Sequence, residues 1–223
     1  LYLPLGVPPM EDVDLVHIHS HRHLLSWMAW KEAKRRGLPV VHTPNGTGLP
    51  IERKQVLKKV WDLLFDGEVL FRADRVVAVS QAEQRQLQQA GVERLVQIPN
   101  GLWMGEFEKL PERGRFRQRH QLQGPIIAYL GQITPRKEVL TLIQACTGIS
   151  AQLVLAGAVR GVELPAGVLH LGVLEGEDRL ELLVDADVLV YATRQEAFGL
   201  VPMEGLLCGA PVVVGEDCGC GEL

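Results

Sequence analysis

With 223 residues, 47% of them hydrophobic and 22% charged, the chain is long enough for two ordinary domains, each with its own core. Its formal net charge of -4 gives no electrostatic reason to expect nucleic acid as a partner. No apolar run reaches the roughly 18–20 residues of a bilayer-spanning helix. Leu1-Tyr-Leu-Pro-Leu5 lacks the basic start and cleavage site of a signal peptide.

Short apolar runs rich in β-branched residues alternate with longer helical patterns, as in α/β units built on parallel sheets. In the first half, residues 14–18, 39–43, 75–79 and 95–98 read as strands, with helical segments near 24–36, 52–72 and 81–90. Trp27 and Trp30, at i and i+3, share one helical face, for which core packing is the preferred reading over acceptor or lipid contact. The segment from Val56 to Phe65 mixes Lys with apolar residues; an amphipathic surface helix is preferred there, and peripheral contact with anionic lipid is the sharper alternative. Residues 103–124 are rich in charge, Gly and Pro and read as a solvated linker with a short helix; an anionic-ligand patch is the rival. In the second half, strands are predicted at 126–130, 152–156, 168–171, 187–191 and 211–214, with helices near 137–147, 176–185 and 200–208. The count predicts two doubly wound, Rossmann-like α/β domains, residues 1–105 and 106–223. In such sheets ligands bind beyond the carboxyl ends of the strands.

The cysteines are Cys146, Cys208, Cys218 and Cys220, and Cys218-Gly-Cys220 is not a common zinc spacing. Reduced thiols in the cytoplasm are the expectation, with no metal and no cofactor. His17, His19, His21 and His23 alternate along one extended stretch, which would put four imidazoles on one face. A turn near Ser20 favours structural histidines, or a histidine-lined acceptor cleft, over a metal site. A chain that opens on Leu1 and stops on Gly-Glu-Leu reads as cut at both ends.

The run from Glu196 to Glu204 carries the chemistry. Seven residues separate the two acids, one in the loop after a strand and the other inside the following helix. Carboxylates placed so can face one crevice and accept hydrogen bonds from the paired hydroxyls of a sugar. Upstream, Gly131 ends a strand and Arg136-Lys137 stands at a helix start, where cations and free N–H groups suit a phosphate.

These motifs together resemble glycosyltransferase family 4, of the GT-B fold. Glu196-Ala-Phe-Gly-Leu200 is similar to the family's E-G-F-G-L, and Glu204-Gly-Leu-Leu-Cys-Gly-Ala-Pro211 to its E-A-x-x-x-G-x-P. Ile98-Pro-Asn-Gly101 resembles the I-P-N-G that closes the first domain, Ala78-Val-Ser80 the strand before it, and the tail ending at Glu222 a G-G-x-x-E loop. The resemblance implies two Rossmann-like domains, the first incomplete, with an active site in the cleft between them. It implies transfer from a nucleotide-diphospho-sugar, with retained anomeric configuration and without a metal. The acceptor would be a glycan, a lipid-linked or a small molecule, met in the cytoplasm or at the inner face of the membrane. Glu204 would hold the ribose and Lys137 the diphosphate. Glu196 would face the donor sugar, and the amides of Phe198, Gly199 and Leu200 its hydroxyls or the phosphate. His19, Asn45 and Gly46 are the acceptor-side candidates.

The sequence departs from the pattern at Gln132, where the family has arginine, at Glu138, where it has glycine, and at Asn45, where many members have histidine. One phosphate-binding cation is thereby absent and one negative charge added. The alternatives are a sugar-nucleotide-binding subunit of weak or no activity, and a GT-B sugar-nucleotide epimerase. A dinucleotide oxidoreductase is disfavoured, since no G-x-G-x-x-G follows a strand at a helix start.

Overall fold

The computed structural model describes residues 6–48, 56, 60–62, 65, 67–194, 196–216 and 218–222. The chain forms two compact units, Leu1–Asn100 and Gly101–Leu223.

In the first unit β1 (Val16–His19), β2 (Val40–Thr43), β3 (Arg75–Ala78) and β4 (Leu95–Gln97) form a parallel sheet in the order β1-β2-β3-β4. Helix α1 (Leu24–Arg35) buries Trp30 and Ala33, whereas Trp27 is half-buried with its ring edge-on to Phe65. Those residues pack with Val40, Val76, Ala78 and Leu87 in one core, joined by Val69 and Leu70 of α2 (Gly67–Arg72). The helix predicted over 52–72 and the lipid-contact reading of 56–65 fall in part outside the described residues. Helix α3 (Gln81–Gln89) starts at an N-cap serine, with a glutamate three residues on reaching back to the residue before the cap. Ser80 accepts from the Glu83 amide at 3.1 Å, and the Glu83 carboxylate accepts from the Val79 amide at 2.8 Å.

In the second unit β5 (Ile126–Leu130), β6 (Gln152–Ala156), β7 (Leu169–His170), β8 (Val188–Tyr191) and β9 (Val212–Val214) are parallel, in the order β7-β6-β5-β8-β9. Every residue of β5 is buried, because helices cover both faces of such a sheet. The two-residue period divides the strand. Ile126, Ala128 and Leu130 pack with Leu180, Leu182 and Leu183 of α6 (Gly176–Asp185). Tyr129 faces the other way, with Leu155, Tyr191 and with Val139 and Leu142 of α5 (Val139–Ala145). Helix α7 (Leu200–Leu207) connects β8 to β9. The chain runs outward from β5 to β7, then returns to β8 on the far side of β5. The β5–β8 neighbour pair is thus a topological switch point, where the two outgoing loops diverge and open a crevice.

The stretch read as a solvated linker belongs instead to this unit. Helix α4 (Arg115–His120) lies against α6, and its Phe116 is fully buried. Arg113 and Arg117 pair with Asp187, Arg115 with Glu177, and Arg119 with Glu181 at 2.9 Å. Asp185, itself buried, accepts from the Gly114 amide at 2.5 Å and the Arg117 amide at 2.9 Å. The basic residues are therefore occupied by acids of α6 and the start of β8, which the local composition does not reveal.

Candidate functional site

Two loops leave the carboxyl ends at the switch point. After β5 the chain turns at Gly131 and runs through a single 3-10 turn, Pro135–Lys137, before α5. After β8 it runs from Tyr191 to Gly199, which starts α7 with φ +84°. A side chain at Gly199 would put its Cβ 2.9 Å from Cys220 Sγ, so only glycine lets the 218–220 loop pack behind this turn. At Gly157, after β6, an added Cβ would lie 1.8 Å from the Gly131 carbonyl oxygen. The loops after β5 and β6 touch backbone to backbone there.

Lys137 and Glu196 meet across the β5–β8 crevice. The Lys137 side chain is 9% exposed and its Nζ is in an ion pair with Glu196 Oε2. Nζ also donates to Tyr191 Oη at 2.7 Å, and Tyr191 Oη donates to Glu196 Oε2 at 3.2 Å. The same Nζ lies 4.7 Å from the Tyr191 ring centroid. Burial pushes the Tyr191 phenol well up, with the Glu196 carboxylate adding to the shift. Tyr191 is therefore a neutral donor and acceptor at any ordinary pH. Tyr129 stacks parallel to it at 6.2 Å and donates to the Gln132 carbonyl at 2.8 Å. Burial raises the Tyr129 phenol too, and the nearby Arg136 charge opposes part of that rise. The crevice thus holds a fixed ammonium, a phenol and a carboxylate in mutual contact.

Glu204 takes a different partner. On the second turn of α7, its Oε2 lies 2.5 Å from Arg179 Nη1 of α6, and Arg179 Nη2 lies 2.5 Å from Glu106 Oε2. Both Arg179 and Glu204 side chains are largely buried. A cleft of about 740 Å³ adjoins Arg179, lined among others by Glu106, Lys109 and Gly176. Phe198 is buried, Leu200 exposed, and both flank the Gly199 turn at the start of α7. Gln132 is exposed. Glu138 has φ +50°, with its Oε1 3.4 Å from Arg194 and its Oε2 accepting from Thr141.

In the first unit, His19 is paired in register with Thr43, so it shares the carboxyl rim with the Asn45-Gly46 turn. Asn45 Oδ1 accepts from Asn100 Nδ2 at 3.2 Å, and the Gly46 amide donates to Glu83 at 2.5 Å. The histidines part company at Ser20, whose φ of +68° ends the strand. His17 and His19 stay exposed, with ring centroids 4.1 Å apart, and His17 Nε2 lies 2.8 Å from Thr43 Oγ1. His21 is buried against His42 and 3.5 Å from Asp62. Burial, with His21 adding, holds the His42 imidazole down at about 3. Among the described residues no three or more His, Cys, Asp or Glu gather as a metal site.

Sequence reasoning passed over Tyr191 and Arg179. Tyr191 was legible in principle, as the last residue of a strand at the switch point. Arg179 was not: only the packing of α6 on α7 brings it to Glu204.

Comparison with known proteins follows this geometry. The Glycosyltransferase Family 4 model matches residues 10–102, and the Glycosyl transferases group 1 model matches residues 112–223. The D-inositol 3-phosphate glycosyltransferase of Segniliparus rotundus is 26% identical over 225 residues, covering 88% of this chain and 50% of that protein. The GDP-mannose-dependent alpha-mannosyltransferase of Mycobacterium tuberculosis is 26% identical over 245 residues, covering 99% and 62%. The chain thus spans about half of the one and three-fifths of the other. Among solved structures, Anabaena HepE in complex with UDP-glucose has a TM-score of 0.77 to this chain at 22% identity, covering 94% of it and 61% of HepE. That likeness establishes the fold as GT-B. The chain belongs to the glycosyl transferases group 1, with a Glycosyltransferase Family 4 region preceding the group 1 region.

Proposed function

We propose that the chain carries the donor-binding part, and a share of the acceptor side, of a glycosyltransferase that uses a nucleotide-diphospho-sugar. The observation that carries this reading is the contact of Lys137, Tyr191 and Glu196 at the switch point of the second sheet. Breaking the glycosidic bond of such a donor leaves negative charge on the diphosphate. A preorganised ammonium and backbone amides at that point stabilise it without a metal. Lys137 takes the diphosphate, with Gly131 letting it approach and Arg136 adding charge. Glu196 and the amides of Phe198, Gly199 and Leu200 take the donor sugar, and Glu204 takes the ribose. Transfer proceeds with retention, onto a glycan, a lipid-linked or a small-molecule acceptor met at His19, Asn45 and Gly46, in the cytoplasm or at the membrane's inner face. The likeness to glycosyltransferases, one of them a GDP-mannose-dependent alpha-mannosyltransferase, supports a nucleotide-sugar donor.

A second reading has its own observation. Glu138 sits next to Lys137 with a left-handed backbone, its carboxylate held by Arg194 and Thr141, and adds a negative charge near the proposed phosphate. That favours a sugar-nucleotide-binding subunit with weak turnover.

Calorimetric titration with UDP-, GDP- and ADP-sugars, followed by an assay of product anomeric configuration by NMR with EDTA present, tests both readings. The first expects binding of one donor and a product of retained configuration, made in EDTA. Binding without turnover selects the second, and no binding of any donor contradicts both.

A further inference from the structure

We propose that Arg179 is the positioning residue that aims the Glu204 carboxylate at the donor ribose, with Glu106 bracing Arg179 from its other side. The inference rests on the reading of Glu204 as the ribose anchor and adds to it what holds that anchor in place.

A glutamate on a helix has three side-chain torsions to fix before its oxygens can meet a vicinal diol. On α7, Glu204 is fixed by an ion pair of 2.5 Å to Arg179 Nη1, from a neighbouring helix. Arg179 is fixed in turn, because its second terminal nitrogen donates to Glu106 Oε2 at 2.5 Å. A guanidinium is planar, so holding both Nη atoms sets the plane and leaves the carboxylate one direction of approach. Lysine, a point charge on a flexible stem, would neutralise Glu204 without orienting it. The Arg179 side chain is 17% exposed and that of Glu204 13%, so the pair is shielded from the screening that weakens surface pairs.

The arrangement leaves the carboxylate capacity for a ligand. A carboxylate offers two oxygens with about four lone-pair sites, and the guanidinium contact is through Oε2. A ribose 2′,3′-diol needs two acceptor sites. A cleft of about 740 Å³ between the 106–112 segment and the start of α6 has Glu106 and Arg179 in its wall, which leaves open space on the Glu106 side of the guanidinium. Glu106 is half-exposed and touches neither Lys137 nor Glu196 in any described contact. Its ion pair with Arg179 is accounted for by this bracing.

The test uses the whole chain and compares each nucleoside diphosphate that binds (UDP, GDP or ADP) with its 2′-deoxy counterpart by calorimetry. The wild type is expected to prefer the ribonucleotide by roughly tenfold or more, the worth of a charge-assisted hydrogen bond in a shielded site. Glu204→Gln and Arg179→Ala are both expected to bring the ratio to within about threefold, Arg179→Lys and Glu106→Gln to leave it in between. If Glu204→Gln loses the preference while Arg179→Ala and Arg179→Lys keep it, the positioning role is wrong and the ribose reading stands. If Arg179→Ala or Arg179→Lys weakens ribo- and deoxynucleotides equally, Arg179 is only structural and the proposal is overturned. If Glu204→Gln keeps the preference, or the wild type has none or binds no diphosphate, the ribose reading itself falls and takes the proposal with it. Should Arg179→Ala fail to fold, Arg179→Lys and Glu106→Gln decide by the same ratio.

Discussion

Individual side chains and backbone angles mark the carboxyl rims of both sheets. Five described non-glycine residues have φ between +50° and +68°: Ser20, Arg22, Asn45 and Glu138, in loops that follow β1, β2 and β5, and Gln121, at the C-terminal cap of α4. Left-handed non-glycine residues cost energy and persist where the surroundings fix them, which is typical of ligand sites. Glu83 is one such fixing group. Its buried carboxylate holds the Val79 and Gly46 amides together, and burial raises its pKa. His42 is the titrating group with the clearest consequence. Held at about 3 in the fold against an ordinary 6.5, it stays neutral while the unfolded chain takes up a proton. The unfolded state therefore binds more protons below 6.5, and stability falls as pH drops from 6.5 toward 3, by up to about 1.4 kcal/mol per pH unit. Urea unfolding of the first unit followed by tryptophan fluorescence in a Trp103→Phe background, which leaves the tryptophans of that unit, is expected to show a lower midpoint at pH 5.0 than at pH 7.5. The drop should shrink in His42→Gln, and an equal drop in both proteins would remove His42 from the account.

At the level of elements, α4 is held to the second unit both by apolar burial and by charge. It buries Phe116, and Asp185 at the end of α6 satisfies two amides of its first turn. Helix N-termini leave four N–H groups without partners, and a carboxylate there is doubly suited. Asp185→Ala removes that acceptor and leaves buried donors unmet, so it is expected to destabilise the second unit by about 1–3 kcal/mol. A denaturant midpoint within error of the wild type would show that Phe116 and the arginine pairs hold the helix without Asp185. The charge-rich stretch could not disclose this from composition, since its partners Glu177, Glu181 and Asp187 come from elsewhere in the chain. The strands were legible for the opposite reason. A buried parallel strand is a short apolar run whatever its neighbours, and 126–130 and 152–156 appear with the boundaries read from sequence. The β7 run shrank to Leu169–His170, as edge strands do when only one side is paired.

For the molecule as a whole, strand order converts these local features into a site. Sequence placed Lys137 at a helix start after one strand and Glu196 in the loop after another, but only the order β7-β6-β5-β8-β9 makes those strands neighbours. The spacing of Glu196 and Glu204 suggested one acidic pair facing one sugar. The fold gives each its own cation, Lys137 for the first and Arg179 for the second. That division was out of reach of a reading by spacing, because both cations lie on other elements. On the proposed function, the β5–β8 crevice of the second unit receives a donor diphosphate. Calorimetric titration of the chain and its Lys137→Ala variant with a nucleoside diphosphate and the matching monophosphate tests it most directly. The expected result is a wild-type preference for the diphosphate that falls at least tenfold in the variant, with monophosphate binding nearly unchanged. A preference that survives the loss of Lys137 would contradict the account.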